Sequence, residues 1–483
     1  MQHLETDYLI IGSGASGMAF ADTLLQESDA HITLVDRHAK PGGHWNDAYP
    51  FVTLHQPSAF YGVNSMALGA NRIDTVGANK GMYELASGPE ISGYYDKVMN
   101  QTLLPSGRVS YHAMSNYLRV DAAEGETGMH QFESILTGEK TAVKVRKKLV
   151  DANFFGPTVP STHTPKFKVT DGVRLVTPNA LVKLWQGHDK SQNSSYLPAH
   201  FCIVGAGKTA MDAGVWLLNH GAAPDRISWV MPRDSWLVNR STIQPGEAFF
   251  ADSIGGQAKQ MDCFANATSI EDLFLRLEAC DQMLRIYPDH MPSMFHFATV
   301  SKGEVALLKR IKNVIRLGRV QTLETTRMVL DKGEVPMPAG TLYIDCTASA
   351  VEPRDMPPIF SGNKIVLQLV RAPLPTFSAA LIAYVEAHYP DEALQNKLCG
   401  NVPFPHSLAD YPRTVAANMT NQMVWGQDKA LRAWMRDSRL DGFAKLMTNI
   451  DSTDTEKIAI LTHLRTAAQA AMANIPRLLA TSG

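Results

Sequence analysis

Two glycine-rich turns nearly two hundred residues apart, IGSGASG at residues 11–17 and IVGAGKTA at residues 203–210, constrain this 483-residue chain more than any other feature. Each follows a short apolar run and opens a helix-like segment, which is the context a dinucleotide-binding turn requires. One chain with two such turns is expected to hold two nucleotide cofactors, and the commonest pairing is a flavin with a nicotinamide.

The first turn fits G-x-G-x-x-G through Gly12, Gly14 and Gly17. Glycine is needed at the tight turn, at the closest backbone approach to a pyrophosphate and at the helix–strand contact, while the helix N-terminus offers free N–H groups to the anion. Met18, Ala21 and Leu25 then mark one apolar helix face, and a second strand over residues 32–35 ends in Asp36. That carboxylate stands about twenty residues past the glycines, where an acid accepts hydrogen bonds from a ribose 2'-OH. Ser16 and Arg37 complete the candidate contacts of this first site.

The second turn has Gly205 and Gly207, with Ala210 at the third position, an accepted variant. Ala210, Ala213 and Leu217 repeat the spacing of Met18, Ala21 and Leu25, and Lys208 and Thr209 join the glycines as candidate contacts. A P-loop reading of Gly207-Lys208-Thr209 would need glycine at position 202, where Cys202 stands. The second strands of the two units share an I-x-x-V frame that matches Asp36 with Met231. With no acid at that edge and Arg233 two residues on, the second site is suited to a 2'-phosphate, hence NADPH rather than NADH.

Length predicts about three domain-sized units. Apolar residues make up 45%, charged residues 19% and the net charge is −2, so no global field favours nucleic acid or an anionic membrane. The first strand begins within the first ten residues and no apolar run is long enough to cross a bilayer, so a cytoplasmic protein without a leader is expected. The five cysteines are scattered with no C-x-x-C, which argues against a disulfide scaffold, a zinc ribbon and a redox-active pair. Among 16 histidines there is no H-E-x-x-H, and His290 and His296 read as loop or core residues rather than ligands, so no metal is expected. Nor is there a G-x-S-x-G elbow.

Between the turns, residues 41–89 form a loop too long for a mere connection, followed by a helix near 92–100. Residues 131–153 alternate as strands around Thr137-Gly138-Glu139-Lys140, predicting a small β-meander inserted into the first domain. Four prolines over 156–178 mark the crossing into the second domain. That domain is expected to carry a helical insertion over 271–286 and 302–315 and to reach a strand at 341–346, before helices at 377–388 and 455–479. Thr376 or Ser378 is the expected cap of the first of these helices. The predicted fold is α/β, with two Rossmann-like domains, the NADP domain inserted into the FAD domain, and a helical C-terminal part. The expected boundaries are 1–165, 166–340 and 341–483.

The residues resemble those of the two-dinucleotide-binding-domain flavoproteins that include flavin-containing and Baeyer-Villiger monooxygenases. The resemblance covers about two thirds of the chain. It rests on IGSGASG, the strand-end Asp36, GGHWNDAYP at 42–50, LHQPS at 54–58 and VGAGKTAMD at 204–212. It implies that Gly42, Gly43, His44 and Trp45 contact a flavin, and that His55 and Gln56 line the flavin face toward nicotinamide and oxygen, where the family has Asn or Asp. Hydrogen-bonding groups in a water-poor site are what a reduced flavin reacting with oxygen requires, so His55 and Gln56 are the catalytic candidates. Trp45 and Tyr49 read equally as a stacked platform or a core plug. The family's linker signature F-x-G-x-x-x-H-x-x-x-[WY] is degenerate here, surviving as Phe154, Gly156, His163 and Phe167 in a stretched form. By analogy, the helix opened by Ser378 aims its N-terminus at the flavin.

The implied function is an FAD-dependent, NADPH-using oxidoreductase that oxygenates a small organic substrate through a C4a-peroxyflavin. Molecular oxygen is the second substrate. A flavin reductase or oxidase, or a nucleotide-bound protein without turnover, are the alternatives.

Overall fold

The computed structural model describes residues 2–119, 128–184, 198–349, 351–448 and 450–480. Its largest sheet runs in the order Phe360–Ser361, Lys364–Val366, Lys140–Asp151, Gln2–Ile11, Ile32–Val35 and Val109–His112. From Lys364–Val366 to Val109–His112 every neighbouring pair is parallel. Such a sheet must be covered on both faces, and Leu9 and Ile10, on opposite faces of one strand, are both fully buried. The helix Ala15–Glu27 covers one face and packs on Pro375–His388, whose residues from Thr376 to Val385 are all buried. A helix apolar all round belongs in a core.

A second sheet, entirely parallel, runs Asn313–Ile315, Ile227–Val230, Phe201–Val204, Leu342–Asp345 and Arg174–Val176. Its strands fall in sequence between Lys140–Asp151 and Phe360–Ser361, so the second nucleotide unit is inserted into the first, as the fold class predicted. A four-stranded sheet of Lys168–Val169, Val320–Leu323, Arg327–Leu330 and Gly333–Pro336 is attached to it. A further three-stranded sheet places Ser235–Asn239 between Met283–Leu284 and Met294–Val300.

Several local expectations change. The meander is half right: Met129–Ser134 and Lys140–Asp151 do pair antiparallel, but the second strand continues into the main sheet, where Tyr8 to Ile11 pair with Lys148 to Asp151. The helix expected over 271–286 ends at Ala279 and is followed by the strand Met283–Leu284; the one expected over 302–315 ends at Leu308, and Asn313–Ile315 becomes the edge of the second sheet. β-Branched Val314 and Ile315 suit that edge better than another helical turn. The helix Phe250–Asn266 was not anticipated. Neither Thr376 nor Ser378 caps Pro375–His388: the N-cap is Leu374, with no side-chain cap, and both hydroxyl residues lie inside the helix. No helix among the described residues is long and apolar enough to cross a membrane.

Candidate functional site

Both turns adopt the geometry their glycines were chosen for. Gly12 has φ +104°, and a Cβ there would lie 2.5 Å from Asn153 Oδ1; Gly205 has φ +124°, and a Cβ there would lie 2.5 Å from the Cys346 carbonyl oxygen. A methyl on Gly17 would overlap the Gly12 carbonyl, which makes glycine obligatory at the third position of the first turn. Ala210 occupies the corresponding place in the second and is fully buried. The helices Ala15–Glu27 and Lys208–Asn219 begin at Gly14 and Gly207, neither of which supplies a side-chain cap. The N–H groups of both first turns therefore lack side-chain caps and are arranged to meet an anion.

The surfaces around the turns differ. Over the first lies Gly43, where a Cβ would come within 2.8 Å of Gly14 Cα, so backbone meets backbone there. Asp36 is buried, and its four hydrogen bonds go to protein: Ser13 N–H at 2.6 Å, Ser13 Oγ at 3.0 Å, His38 N–H at 2.8 Å and His38 Nδ1 at 2.8 Å. Burial pushes its carboxyl up, but the bonds from His38 and Ser13 outweigh this and hold it below the usual range. His38 Nε2 in turn lies 2.9 Å from Asp47. The bond to Asp36, opposed by burial and helped by Asp47, raises the His38 imidazole. Asp36 thus ties the turn to the next loop through both carboxylate oxygens. Ser16 is half-buried and Arg37 exposed; neither side chain has a hydrogen-bond partner among the described residues.

Beside the second turn, a Cβ on Gly207 would face open space. A small cleft is lined by Ala206, Met211, Met231, Asp234, Ser235 and Arg285 among others. Arg233 is exposed and unpaired among the described residues, whereas Asp234 is held by Nε and Nη2 of Arg316, at 2.8 and 2.9 Å. Arg285, which motif reading did not single out, puts a guanidinium in the cleft wall beside Met231, with Nε paired to Glu278 at 2.8 Å. It is supplied by the insertion, so no local motif announces it.

Lys208 does not present its ammonium at the turn. It is buried, paired with Asp212 and 3.4 Å from Glu304. Glu304 also holds Arg240 at 2.6 Å, and Arg240, 1% exposed, donates to the carbonyls of His55 at 2.9 Å and Thr299 at 3.2 Å. Burial would raise the Glu304 carboxyl, but Lys208 and Arg240 bring it down to about 2. The long loop of the first unit is thereby bolted to the second. Tyr49 adds a hydroxyl donated to Asp212 at 2.7 Å, and Phe51 stacks on Trp216 at 5.2 Å.

His55 sits over this network. Burial first, then the charges of Lys208 and Arg240, depress its imidazole to about 3, so it is neutral at any ordinary pH. Its neighbour Gln56 is half-buried and makes no hydrogen bond among the described residues. Burial takes the His44 imidazole down to about 4, against the opposing charge of Asp47. Trp45 donates Nε1–H to Tyr61 Oη at 2.8 Å and packs on the first core, and Tyr49 is the buried plug between the units. In the linker, His163 Nε2 meets Thr347 Oγ1 at 3.0 Å and Phe167 packs on the second unit's core. Ser378 is fully buried and its hydroxyl lies 2.8 Å from the Leu374 carbonyl and 3.2 Å from the amides of Val370 and Arg371, so it braces that loop.

The cysteines are not all scattered in space, although all five are free. Cys263 and Cys280 bring their sulfurs to 3.5 Å, although seventeen positions apart, because a helical hairpin folds one onto the other. No group of three or more His, Cys, Asp or Glu that could hold a metal occurs among the described residues.

A family model described as an NAD(P)-binding Rossmann-like domain matches residues 10–71. The chain is 45% identical over 444 residues to an uncharacterised protein of Mycobacterium tuberculosis (strain ATCC 25618 / H37Rv) and to one of Mycobacterium bovis (strain ATCC BAA-935 / AF2122/97), covering 92% of this chain and 79% of each relative. Solved structures similar to it include a flavin-containing monooxygenase from Stenotrophomonas maltophilia, at 12% identity and a TM-score of 0.44, covering 80% of this chain and 97% of that one. Cyclohexanone monooxygenase from Rhodococcus sp. Phi1 bound to NADP+ is 14% identical with a TM-score of 0.45, covering 80% and 85%. A bacillithiol disulfide reductase from Staphylococcus aureus is 10% identical with a TM-score of 0.43, covering 81% and 100%.

Proposed function

The chain belongs to one protein family with these mycobacterial proteins, and we propose that it is an FAD-dependent, NADPH-using oxidoreductase of the monooxygenase type, acting on a small organic substrate with molecular oxygen. One observation carries the reading: two turns of matched backbone geometry have strand ends of opposite electrostatic character, Asp36 at one and Met231 with Arg233 at the other.

In this reading FAD lies along Gly12, Gly14, Ser16 and Gly17, with Asp36 and Arg37 at the adenosine end and Gly43, His44 and Trp45 further along. NADPH takes the turn at Gly205, Gly207, Lys208 and Thr209. Because the Lys208 ammonium is committed to Asp212 and Glu304, only its backbone N–H is offered to a diphosphate. Arg233 and Arg285 flank Met231 and are the cations for a 2'-phosphate, where charge-assisted hydrogen bonds are the strong ones. The NADPH unit runs from 166 through Leu342–Asp345, five residues past the boundary expected at 340, because that strand lies inside the second sheet between Phe201–Val204 and Arg174–Val176; the FAD unit comprises 1–165 and the chain after that strand.

When bound, FAD supplies the two-electron relay between nicotinamide and oxygen, while the protein supplies orientation and exclusion of water. His55, kept neutral first by burial and then by the charges of Lys208 and Arg240, offers one ring N–H and one ring lone pair and does not act as an acid. Gln56 offers an unspent amide beside it. These two residues are assigned to hydrogen bonding at the reacting face.

The test is an absorbance trace of the purified protein mixed with NADPH, first without oxygen and then with it. A yellow protein with non-covalent FAD that bleaches under NADPH is expected, with oxygen then consumed in step with an oxygenated organic product. A colourless protein that cannot be reconstituted with FAD, or one that holds FMN, overturns the reading. Return of all electrons as hydrogen peroxide across many candidate substrates reassigns the chain to the oxidase or reductase class.

A further inference from the structure

Of the five cysteines, Cys202, Cys346 and Cys399 are buried in separate surroundings and none has a second sulfur as a hydrogen-bond partner among the described residues. Cys263 and Cys280 differ in three ways. Their sulfurs touch at 3.5 Å. Cys280, at the C-cap of Ile270–Ala279, is half-buried rather than sealed. The loop that joins their helices, residues 267–269, is short, so the two sulfurs are held on adjoining rigid elements. We infer that Cys263 and Cys280 are an oxidisable dithiol, with Cys280 the sulfur attacked by a hydroperoxide and Cys263 the resolving thiol.

The local chemistry assigns the roles. Cys280 is the more exposed of the two sulfurs and Cys263 the buried one; their contact, opposed by burial and helped by the amide of Gln282, lowers the Cys280 thiol, and with burial it raises Cys263. The thiolate is the nucleophile, which makes Cys280 the first to react. Its sulfur attacks one oxygen of the hydroperoxide, the O–O bond breaks, and the leaving oxygen takes up a proton. Cys280 is thereby oxidised by two electrons to a sulfenic acid. Cys263 sulfur then displaces that hydroxyl, the S–S bond forms, and the hydroxyl departs as water with the Cys263 proton. With hydrogen peroxide, two thiols lose two electrons and two protons and two waters result. A dithiol reverses the change by exchange. The inference does not rest on the proposed cofactors.

The probe is hydrogen peroxide added to the full-length protein, followed by trypsin without reduction. Cleavage after Lys259, Arg276 and Arg285 puts Cys263 and Cys280 in different peptides, 260–276 and 277–285. The expected product is those two peptides joined and two hydrogens lighter than their sum, separated again by dithiothreitol. Cys263→Ser should leave a sulfenic acid on Cys280 that dimedone captures, and Cys280→Ser should slow thiol loss in this hairpin about tenfold or more. Both variants are small changes, and the wild-type mass measurement stands if either misfolds. Peroxide that leaves both peptides free, that takes Cys280 to sulfinic acid with no link, or that links Cys280 to a second copy of the chain overturns the inference.

Discussion

At the first turn the leading glycine faces the Asn153 side chain, and at the second it faces the Cys346 carbonyl; both partners lie just past the strand that returns beside the turn's own strand. Ala152 N–H bonds the Ile11 carbonyl at 3.1 Å and Cys346 N–H bonds the Val204 carbonyl at 2.8 Å, the same tie in each unit. The likeness stops at the backbone. The first turn is roofed by Gly43 and moored by an Asp36–His38–Asp47 chain, while the second is open above Gly207 and moored from below by Lys208, Glu304 and Arg240. Positive φ or a touching carbonyl demands glycine at Gly12, Gly17 and Gly205 but not at Gly207, and the charged side chains anchored around the two turns differ.

The sharpest way to break the comparison is at the mooring of the second turn. Arg240→Met removes one of Glu304's two cations and leaves a buried carboxylate poorly paired, which costs about 3 to 5 kcal/mol; urea unfolding should register that loss, and a change below about 1 kcal/mol would mean the network is not what joins the units. Gly17→Ala should cost about 3 kcal/mol through overlap with the Gly12 carbonyl, whereas Gly207→Ala, with nothing in its way, should leave the unfolding midpoint nearly unchanged. Equal effects at both positions would deny the difference in crowding. Arg285→Ala and Arg233→Ala should each weaken NADPH by about ten- to a hundredfold with little change for NADH, from a bond of roughly 1.5 to 3 kcal/mol; steady-state KM values for both nucleotides decide it. If only one arginine responds, the 2'-phosphate lies on that side of Met231.

The smallest effect belongs to the first turn. His38 is raised by its bond to Asp36 and by Asp47, so its contribution is complete below the ordinary imidazole value of 6.5 and is lost as pH climbs through the raised one. Thermal stability of the wild type should therefore decline across that window, and His38→Ala should flatten the decline by on the order of 1 kcal/mol. An unchanged profile would remove His38 from the mooring.

The turns were legible in the sequence because the demand for glycine is local: positive φ or a touching carbonyl is a property of a few residues. The insertion of one unit in the other was legible for a similar reason, since each unit announces itself with its own turn. Lys140–Asp151 was not, because alternation looks alike in a meander strand and in a central one, and only its partners differ. Phe250–Asn266 was hidden by Gly255-Gly256, which lowers helix propensity; its packing against Thr455–Ala480 is tertiary, and a Cβ on Gly255 would make only an ordinary contact, 3.8 Å from Ile460. Lys208 reads as an anion contact until Glu304, 96 positions on, is seen to hold it. Arg285 and the Cys263–Cys280 contact depend in the same way on the insertion's tertiary path.

The strand Lys364–Val366, which closes the open side of Lys140–Asp151, also sets a timetable for synthesis. A ribosome adding about 5 to 20 residues per second releases it roughly 10 to 40 s after the strand it must join. Throughout that interval the nascent first sheet carries a bare edge, a template for pairing with a wrong strand. The inserted unit, whose own five strands all lie between Arg174 and Asp345, is free to fold meanwhile. It occupies the waiting time and keeps the two halves of the first sheet tethered until the later one emerges.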